Sequence, residues 1–242
     1  MNSKQLIEKR RRAQKRSRRR SMVFISAGVV LVLTAAVIFF SNQDQFNLSR
    51  REIVVPERAQ PALAEGSAVG AAEAPVVIVN YSDFACPYCA DFARTTSQQL
   101  RENYIAAGDV YLEFRSVGLL LGAPASALAA EAAYCAADQE AFWPYHDIIF
   151  ANQAELFANP QADISPTLKV FAELLELDQE TFDSCLDSGT YRQRVQQDEI
   201  DARAAGVSGT PSFVINGTLL CGSQPMSSFQ QVIESELAKA GE

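Results

Sequence analysis

Histidine is nearly absent from this 242-residue chain, and the usual metal-binding and hydrolytic patterns are absent as well. His146 is the only histidine, and the chain has a single Cys-x-x-Cys motif. A structural zinc site needs four ligands, usually in two close pairs, so one is not predicted. The sequence also has no glycine-rich phosphate loop, no carboxylate cluster with metal-ligand spacing and no serine– or cysteine–histidine hydrolase pattern.

Positive charge is concentrated at the N-terminus. Residues 1–20 hold ten Lys or Arg and one acid, so the remaining residues sum to −17 against −8 for the whole chain. An acidic body does not suit nucleic acid or an anionic membrane surface. Basic arms often bind nucleic acid, but an apolar run directly follows this one. Membrane topology is therefore the simpler explanation for the basic tail.

One long apolar run, residues 22–40, carries no charge. Nineteen helical residues span about 28 Å, close to the roughly 30 Å of a hydrocarbon core. The pattern predicts a single-pass anchor in the cell membrane, with residues 1–21 as a basic cytoplasmic tail and the rest of the chain extracytoplasmic. A cleaved signal peptide is the alternative, but residues 39–43 make a poor cleavage site.

Residues 41–72 have the composition of a linker. They are polar at first and then rich in proline, alanine, glycine and glutamate. Residues 53–55 could form a short strand, but their surroundings do not indicate a packed unit. The remaining residues, 73–242, have the length of one domain and show no internal repeat.

Two cysteines, Cys86 and Cys89, are three positions apart, after the apolar run of residues 76–79. A Cys-x-x-Cys motif near a strand-to-helix turn is typical of a thioredoxin-like redox site. The alternative is half of a zinc site, for which the chain lacks a second pair of ligands.

The predicted elements follow the order β-α-β, helices, β-hairpin, α. Strands are predicted at 75–81, 110–116, 212–216 and 218–221, and helices at 87–106 and 226–240, with a segmented helical stretch at about 123–205. Asn216 and Gly217 separate the last two strands, which is a strong hairpin pattern. This is a thioredoxin-like α/β layout with an inserted helical subdomain.

Three segments, residues 83–89, 142–147 and 206–213, resemble the DsbA-type thiol:disulfide oxidoreductases, in particular their membrane-anchored bacterial branch. The resemblance covers essentially all of residues 73–242. It implies a thioredoxin fold with a helical insertion at about 119–205, here preceded by one transmembrane helix. The first segment contains Cys-Pro-Tyr-Cys, and the last contains Gly-Thr-Pro.

The reactive group is expected to be the Cys86 thiolate at the start of a helix, where unpaired N–H groups favour negative charge. Pro87 suits the first turn because it needs no N–H partner there. Cys89, one turn later, is expected to be the shielded, resolving cysteine. Tyr88 adds no positive charge, whereas the family's strongest oxidants often carry histidine between the cysteines. Nearby acids, Asp83 and Asp91, would tend to raise the pKa of Cys86.

The resemblance implies a second half of the site at Thr210 and Pro211. In the family this proline is cis and faces the dithiol, and the backbone before it pairs with extended substrate. An ordinary loop proline is the alternative. The chain departs from the family at Asn80, where a buried acid is common. Because asparagine cannot titrate, either water or another acid such as Glu113 serves the second cysteine, or deprotonation of Cys89 is slower.

Three further cysteines lie outside the motif. Some family members join helices of the insertion by a disulfide, which implies a Cys135–Cys185 bridge in an exported domain. Two reduced thiols, or a bridge from either cysteine to Cys221, remain open. Cys221 is otherwise expected to be buried on the hairpin and inert. His146 and the aromatic residues before it are expected to pack in the core.

The predicted function is extracytoplasmic oxidation of thiols in exported polypeptides. No bound cofactor and no metal are expected beyond the Cys86–Cys89 redox disulfide. The expected partner, by analogy with the family, is a quinone-linked membrane protein that reoxidises the dithiol, similar to DsbB or to vitamin-K-epoxide reductase. A disulfide reductase or isomerase of the same fold, and a tethered binding module without catalysis, are the alternatives.

Overall fold

A six-stranded mixed sheet organises the residues that the computed structural model describes, which are 53–57, 61–119 and 124–241. In chain order the strands are β1 (Ala64–Glu65), β2 (Ala68–Val69), β3 (Val76–Ser82), β4 (Val110–Ser116), β5 (Ser212–Ile215) and β6 (Thr218–Cys221). Across the sheet they are arranged β1-β2-β4-β3-β5-β6. The β3–β4 pair is parallel, and the other neighbouring pairs are antiparallel.

Nine α-helices and one π-helical turn lie within the described ranges. They are α1 (Pro87–Arg94), α2 (Thr96–Leu100), the π-turn Arg101–Ile105, α3 (Pro124–Ala137), α4 (Phe142–Ala151), α5 (Gln153–Leu156), α6 (Ser165–Leu174), α7 (Gln179–Ser188), α8 (Arg192–Ala204) and α9 (Met226–Ala240). The six helices from α3 to α8 form the insertion between β4 and β5, so the predicted thioredoxin-like α/β fold with a helical insertion is confirmed.

The central strand β3 is paired on both edges, with β4 and with β5, and five of its seven residues are buried, which accounts for its nearly continuous apolar sequence. Its neighbour β4 alternates instead, with buried residues at every second position. The parallel β3–β4 connection requires a crossover, which α1, α2 and the π-turn supply. This crossover places the start of α1 at the carboxyl end of β3.

The hairpin β5–β6 turns at the two residues that the sequence indicated. Asn216 and Gly217 have φ angles of 42° and 88°, the positive pair that a two-residue hairpin turn requires. The Asn216 side chain also fixes the hairpin to β3. Its Oδ1 accepts a hydrogen bond from the N–H of Val77, and its Nδ2 donates to the carbonyl of Pro75.

The helix predicted over 87–106 is wrong in one respect, because it is interrupted. Thr95 has φ −120° and ψ −83°, outside the helical region, and separates α1 from α2. Its hydroxyl donates to the carbonyl of Asp91 at 2.7 Å, which offers the backbone a local alternative to the helical pattern. The segment then ends in the π-turn Arg101–Ile105.

The linker predicted over 41–72 extends too far towards the C-terminus. Strand β2 pairs with β4, and Val69 is 1% exposed within the core. The carbonyl of Ser67 accepts a hydrogen bond from the N–H of Phe114, and that of Ala68 accepts one from Nε1 of Trp143. Strands of two residues are too short to leave a periodic pattern, which explains why composition misled the prediction.

An aromatic cluster connects the sheet to the insertion. The Phe84 ring lies 5.1 Å from that of Phe114 in β4 and 5.0 Å from that of Phe150 in α4, measured between centroids. The ring of His146 lies 5.8 Å from that of Phe84, and its Nδ1 is 2.8 Å from Oδ1 of Asp147. The only histidine is thus a core residue, as expected.

None of the helices in the described ranges has the length and apolar composition needed to cross a bilayer. The anchor predicted at 22–40, the basic tail at 1–21 and the first part of the linker lie outside those ranges.

Candidate active site

Cys86 is the residue at which the chain turns from the end of β3 into α1. It occupies the N-cap position with extended backbone angles, φ −80° and ψ 121°, and Pro87 follows in the first turn. The carbonyl of Cys86 accepts the N–H groups of Cys89 and Ala90, so the helix begins at this residue. Cys86 and Cys89 are free thiols, which makes this the reduced form of the site.

The predicted second half of the site lies directly beside the first. Sγ of Cys86 is 3.5 Å from the backbone oxygen of Thr210, although 124 positions separate the two residues in sequence. The Thr210–Pro211 peptide bond is cis. The motif and the Gly-Thr-Pro segment therefore meet at one surface point, where Tyr88 is 67% exposed.

The two thiols have opposite acid–base properties. The pKa of Cys86 is lowered to about 6, chiefly because the Cys89 thiol donates a hydrogen bond to its sulfur. Partial burial opposes this shift, whereas hydrogen bonds from the Thr210 side chain and from the N–H groups of Cys89 and Tyr88 add to it. Burial raises the pKa of Cys89, which is 1% exposed, well above its usual value, and the neighbouring Cys86 adds to the effect.

Two acids that were expected to raise the pKa of Cys86 are held by other partners. The carboxyl group of Asp83 accepts hydrogen bonds from the Ser126 hydroxyl and from the N–H of Ala85. Its own pKa is raised by burial. The carboxylate of Asp91 accepts the Ser223 hydroxyl at 2.9 Å. The pKa of Cys86 is lowered, as expected for a thiolate at the start of a helix, and neither acid is among the main contributions to its shift.

Asn80, at the position where the family commonly has a buried acid, lies on the sheet face that supports α1. Asn80 is 4% exposed, and its register partners are Phe114 and Phe213. Its Oδ1 has no hydrogen-bond partner among the described residues. Glu113, considered as a substitute acid, alternates onto the opposite face of β4 and is bound by Arg115 and Arg194. It is not placed to exchange protons with the dithiol.

Two residues that contact the site were not singled out from the sequence. Ser126 at the start of α3 donates to Asp83, and Gln153 at the start of α5 donates to the carbonyls of Phe84 and Cys86. Both belong to the helical insertion, and 67 positions separate Gln153 from Cys86. A polar residue in a helical segment gives no local pattern that would have identified either contact.

The cysteines outside the motif are divided between a bridge and a free thiol. Cys135 in α3 is bonded to Cys185 in α7, a pairing of helices within the insertion. Cys221 is free and exposed, whereas the sequence predicted a buried residue. It lies in β6, an edge strand whose residues are mostly exposed, and this position accounts for the difference.

Within the part of the chain that the structure describes, no group of three or more histidine, cysteine or acidic side chains is arranged to hold a metal ion. The chemistry available at this surface is that of two thiols. One has a lowered pKa and lies beside the backbone oxygen of Thr210, and the other is buried behind it with a raised pKa. Such a pair can form a mixed disulfide and resolve it.

A family model described as Thioredoxin matches residues 63–235, more than half of the chain. The probable disulfide bond formation protein D of Bacillus anthracis is 31% identical over 182 residues, which cover 74% of this chain and 81% of that protein. The Na(+)/H(+) antiporter NhaA 3 of Salinispora tropica is 37% identical over 171 residues. These cover 71% of this chain, which spans only 24% of that relative.

Among solved structures, oxidised BdbD from Bacillus subtilis superposes with a TM-score of 0.63 at 25% identity, covering 74% of this chain and 97% of that one. The fold, the relative named for disulfide bond formation and the dithiol at the N-terminus of α1 agree with one another. The chain belongs to the DsbA-type thiol:disulfide oxidoreductases of the thioredoxin-like superfamily.

Proposed function

We propose that this oxidoreductase works as an extracytoplasmic oxidase, which introduces disulfides into exported polypeptides through Cys86 and Cys89. The observation that carries the proposal is the asymmetry of the dithiol. Cys86 keeps 8% exposure and has its pKa lowered to about 6, whereas Cys89 is 1% exposed and has its pKa raised. Stabilising the thiolate stabilises the reduced enzyme, and this makes the disulfide form an oxidant.

The proposed reaction starts from the oxidised enzyme. A substrate thiolate attacks Sγ of Cys86, the Cys86–Cys89 bond breaks, and the leaving Cys89 sulfur takes up a proton. A second substrate thiolate then attacks the substrate sulfur of the mixed disulfide and releases Cys86 as a thiolate. Two electrons pass from the substrate to the enzyme, and the substrate leaves with one new disulfide.

The roles of the other site residues follow from their positions. An extended substrate would pair with the backbone oxygen of Thr210, which lies 3.5 Å from the reacting sulfur, and Pro211 offers no competing N–H. The exposed Tyr88 ring would form part of the surface that meets the substrate. Deep burial of Cys89 keeps this sulfur from being attacked by a second substrate, so substrates would react at Cys86.

The cycle requires a partner that removes two electrons from the reduced dithiol. We propose a quinone-linked membrane protein, similar to DsbB or vitamin-K-epoxide reductase. The proposed location, with residues 22–40 as anchor and the sheet domain outside the cytoplasm, would place both proteins at the same membrane. The Cys135–Cys185 bond is consistent with an oxidising compartment.

The deciding experiment is the redox equilibrium of the full chain with glutathione, followed by alkylation of free thiols and mass spectrometry. We expect a reduction potential above about −200 mV, as in oxidants of this class. A value near about −270 mV, as in thioredoxin, would assign the enzyme to disulfide reduction instead.

Cellular tests separate the remaining alternatives. The Cys86→Ser variant, expressed in place of the natural chain, should leave exported cysteine-containing proteins reduced. A tethered module without catalysis would keep its cellular role in that variant. A membrane-impermeant thiol reagent applied to intact cells should label Cys86 after mild reduction. Labelling only after lysis would contradict the proposed location.

A further inference from the structure

The loop that leads into α1 is held by an amide that the proposed reaction does not use. Gln153 is the first residue of α5, and only 9% of its surface is exposed. Its Nε2 donates to the carbonyl oxygen of Phe84 at 2.7 Å and to that of Cys86 at 2.9 Å. The two acceptors use both protons of the amide and lie on either side of Ala85.

The chemistry of this contact distinguishes glutamine from its nearest relatives. Both neighbours of the side chain are carbonyl oxygens, so the group that faces them must be a donor of two hydrogen bonds. A glutamate carboxylate would place oxygen against oxygen and add negative charge beside Cys86. Methionine would match the length of glutamine but would leave both buried carbonyls without this donor.

A second contact from the insertion holds the same loop. The Ser126 hydroxyl donates to the carboxyl group of Asp83, which also accepts the N–H of Ala85. The loop from Asp83 to Cys86 is therefore fixed on two sides by helices that lie far away in sequence. Only the Gln153 contact reaches the backbone of the reactive cysteine itself.

We propose that Gln153 is a positioning residue for the thiol chemistry of Cys86, which fixes the backbone of residues 84–86 so that the first turn of α1 presents its N–H groups to the sulfur. The inference rests on the role proposed above for Cys86. Holding the two carbonyls holds the peptide planes that precede α1. Without them the loop can rotate, and the N–H groups of Tyr88 and Cys89 no longer converge on Sγ.

The electrostatics of the site agree with this geometry. The N–H groups of Cys89 and Tyr88 are among the groups that lower the pKa of Cys86. Hydrogen bonds of this kind depend steeply on direction. A small rotation of the Cys86 backbone therefore weakens them without unfolding the helix. The helical insertion thus controls the acidity of a cysteine that it does not contain.

A neighbouring amide provides a matched control. Asn152 precedes Gln153 directly and is even more buried, at 2% exposed. Its side chain bonds the N–H and carbonyl of Val54 and the carbonyl of Ile148, and none of these belongs to the loop of Cys86. Asn152→Ala therefore removes a buried amide of the same region, and Asn152→Asp replaces it with a carboxyl group. Neither substitution removes a hydrogen bond to residues 84–86.

The experiment measures the pKa of Cys86 in the reduced full chain, in mild detergent, from the pH dependence of its alkylation by iodoacetamide. Gln153→Met should raise this pKa by about half a unit to one unit, and Gln153→Glu by more, because hydrogen bonds and nearby charge both act on the thiolate. The Asn152 variants should lower the thermal unfolding temperature at least as much as the Gln153 variants do, but they should leave the pKa of Cys86 unchanged.

Each result decides for or against the positioning role. Equal pKa shifts in the Gln153 and Asn152 variants, or no shift in either, would overturn it and leave Gln153 as a structural residue. If Gln153→Met does not fold, Gln153→Asn, which keeps the donors but withdraws them by one carbon, takes its place in the comparison. An ordinary pKa of Cys86 in the unaltered chain would instead contradict the proposed function.

Discussion

Cys86 and Cys89 are one helical turn apart, yet their surroundings differ in the two respects that determine thiol acidity. Cys86 is the N-cap of α1, and its sulfur accepts hydrogen bonds. The one from the Cys89 thiol contributes most to lowering the pKa of Cys86. Cys89 is 1% exposed, and its sulfur accepts the N–H of Asp83 at 3.4 Å, which does not compensate for burial. A thiol can give up its proton only where the resulting charge is solvated or hydrogen-bonded.

The donor role of Cys89 predicts a difference between two substitutions that both abolish the disulfide. Cys89→Ser keeps a hydroxyl donor next to Sγ of Cys86, whereas Cys89→Ala removes the donor. We expect the pKa of Cys86 to be roughly one unit higher in Cys89→Ala than in Cys89→Ser. The pH dependence of alkylation measures both values. Equal values would show that the backbone N–H groups alone hold the thiolate.

The lowered pKa of Cys86 also makes the stability of the reduced form depend on pH. An unfolded cysteine has a pKa of about 8.5, whereas that of folded Cys86 is about 6. Because the pKa of the folded state is the lower one, ionisation of Cys86 stabilises the reduced form fully above about pH 8.5, and this stabilisation is lost as the pH falls through about 6. Cys86 does not titrate in the oxidised form, so the oxidised enzyme lacks this dependence.

We therefore expect the free energy of unfolding of the reduced form, minus that of the oxidised form, to decrease as the pH is lowered from about 8 to about 6. Below that range the difference should level off. Urea unfolding of both forms at several pH values gives the quantity, under mild reduction that leaves Cys135–Cys185 intact. A difference that grows on acidification would contradict the sign of the shift.

At the scale of elements, the sequence predicted those parts of the fold that have a local cause. Strand β3, strand β4 and the Asn216-Gly217 turn have patterns that arise from burial or backbone conformation, and each was located to within a residue. Helix α9 was found with its bounds because its apolar face repeats at helical spacing.

Elements and contacts that depend on distant partners could not be predicted. Strands β1 and β2 exist because β4 offers a free edge, and their own residues have no strand pattern. The break at Thr95 and the contacts of Ser126 and Gln153 with the loop of Cys86 also arise from tertiary neighbours. The dithiol itself was recognisable because its chemistry requires a fixed spacing.

The bond between α3 and α7 stabilises the insertion independently of the redox site. It closes a loop with a sequence separation of 50, so the chain-entropy model assigns it about 4 kcal/mol. We expect the double variant Cys135→Ala, Cys185→Ala to lose stability of this order in urea unfolding. Cys221→Ala, at an exposed free thiol, should change stability by less than about 0.5 kcal/mol.

In the same double variant we expect the pKa of Cys86 to stay near 6, because neither cysteine contributes to the groups that lower it. The two readouts together separate the structural from the reactive cysteines. Loss of thiolate character in the double variant would show that the insertion must be cross-linked to hold the active-site loop.

At the scale of the whole molecule, the sheet domain is completed by residues that composition assigned to a linker. The core residue Val69 lies in β2, and the N–H of Phe114 and Nε1 of Trp143 find their acceptors at Ser67 and Ala68. Asn152 also fixes Val54, through both the N–H and the carbonyl of Val54. The folded unit therefore includes chain that precedes residue 73.

A comparison of truncated chains tests this boundary. A fragment of residues 73–242 lacks β1 and β2, which leaves the edge of β4 open and removes the acceptor oxygens of Ser67 and Ala68 from two buried N–H donors. Each such donor costs about 1–3 kcal/mol, and an open strand edge promotes association. We expect this fragment to be several kcal/mol less stable in urea unfolding than residues 53–242, and to form oligomers in light scattering.

A third fragment, residues 61–242, is the control for the loss of chain length alone. It keeps both short strands and loses contacts such as those of Ile53 and Val54, so its stability should lie close to that of residues 53–242 and its monomeric state should persist. If residues 73–242 proved as stable and monomeric as the two longer fragments, the pairing of β2 with β4 would contribute nothing to the fold. The domain would then begin where the composition of the sequence changes.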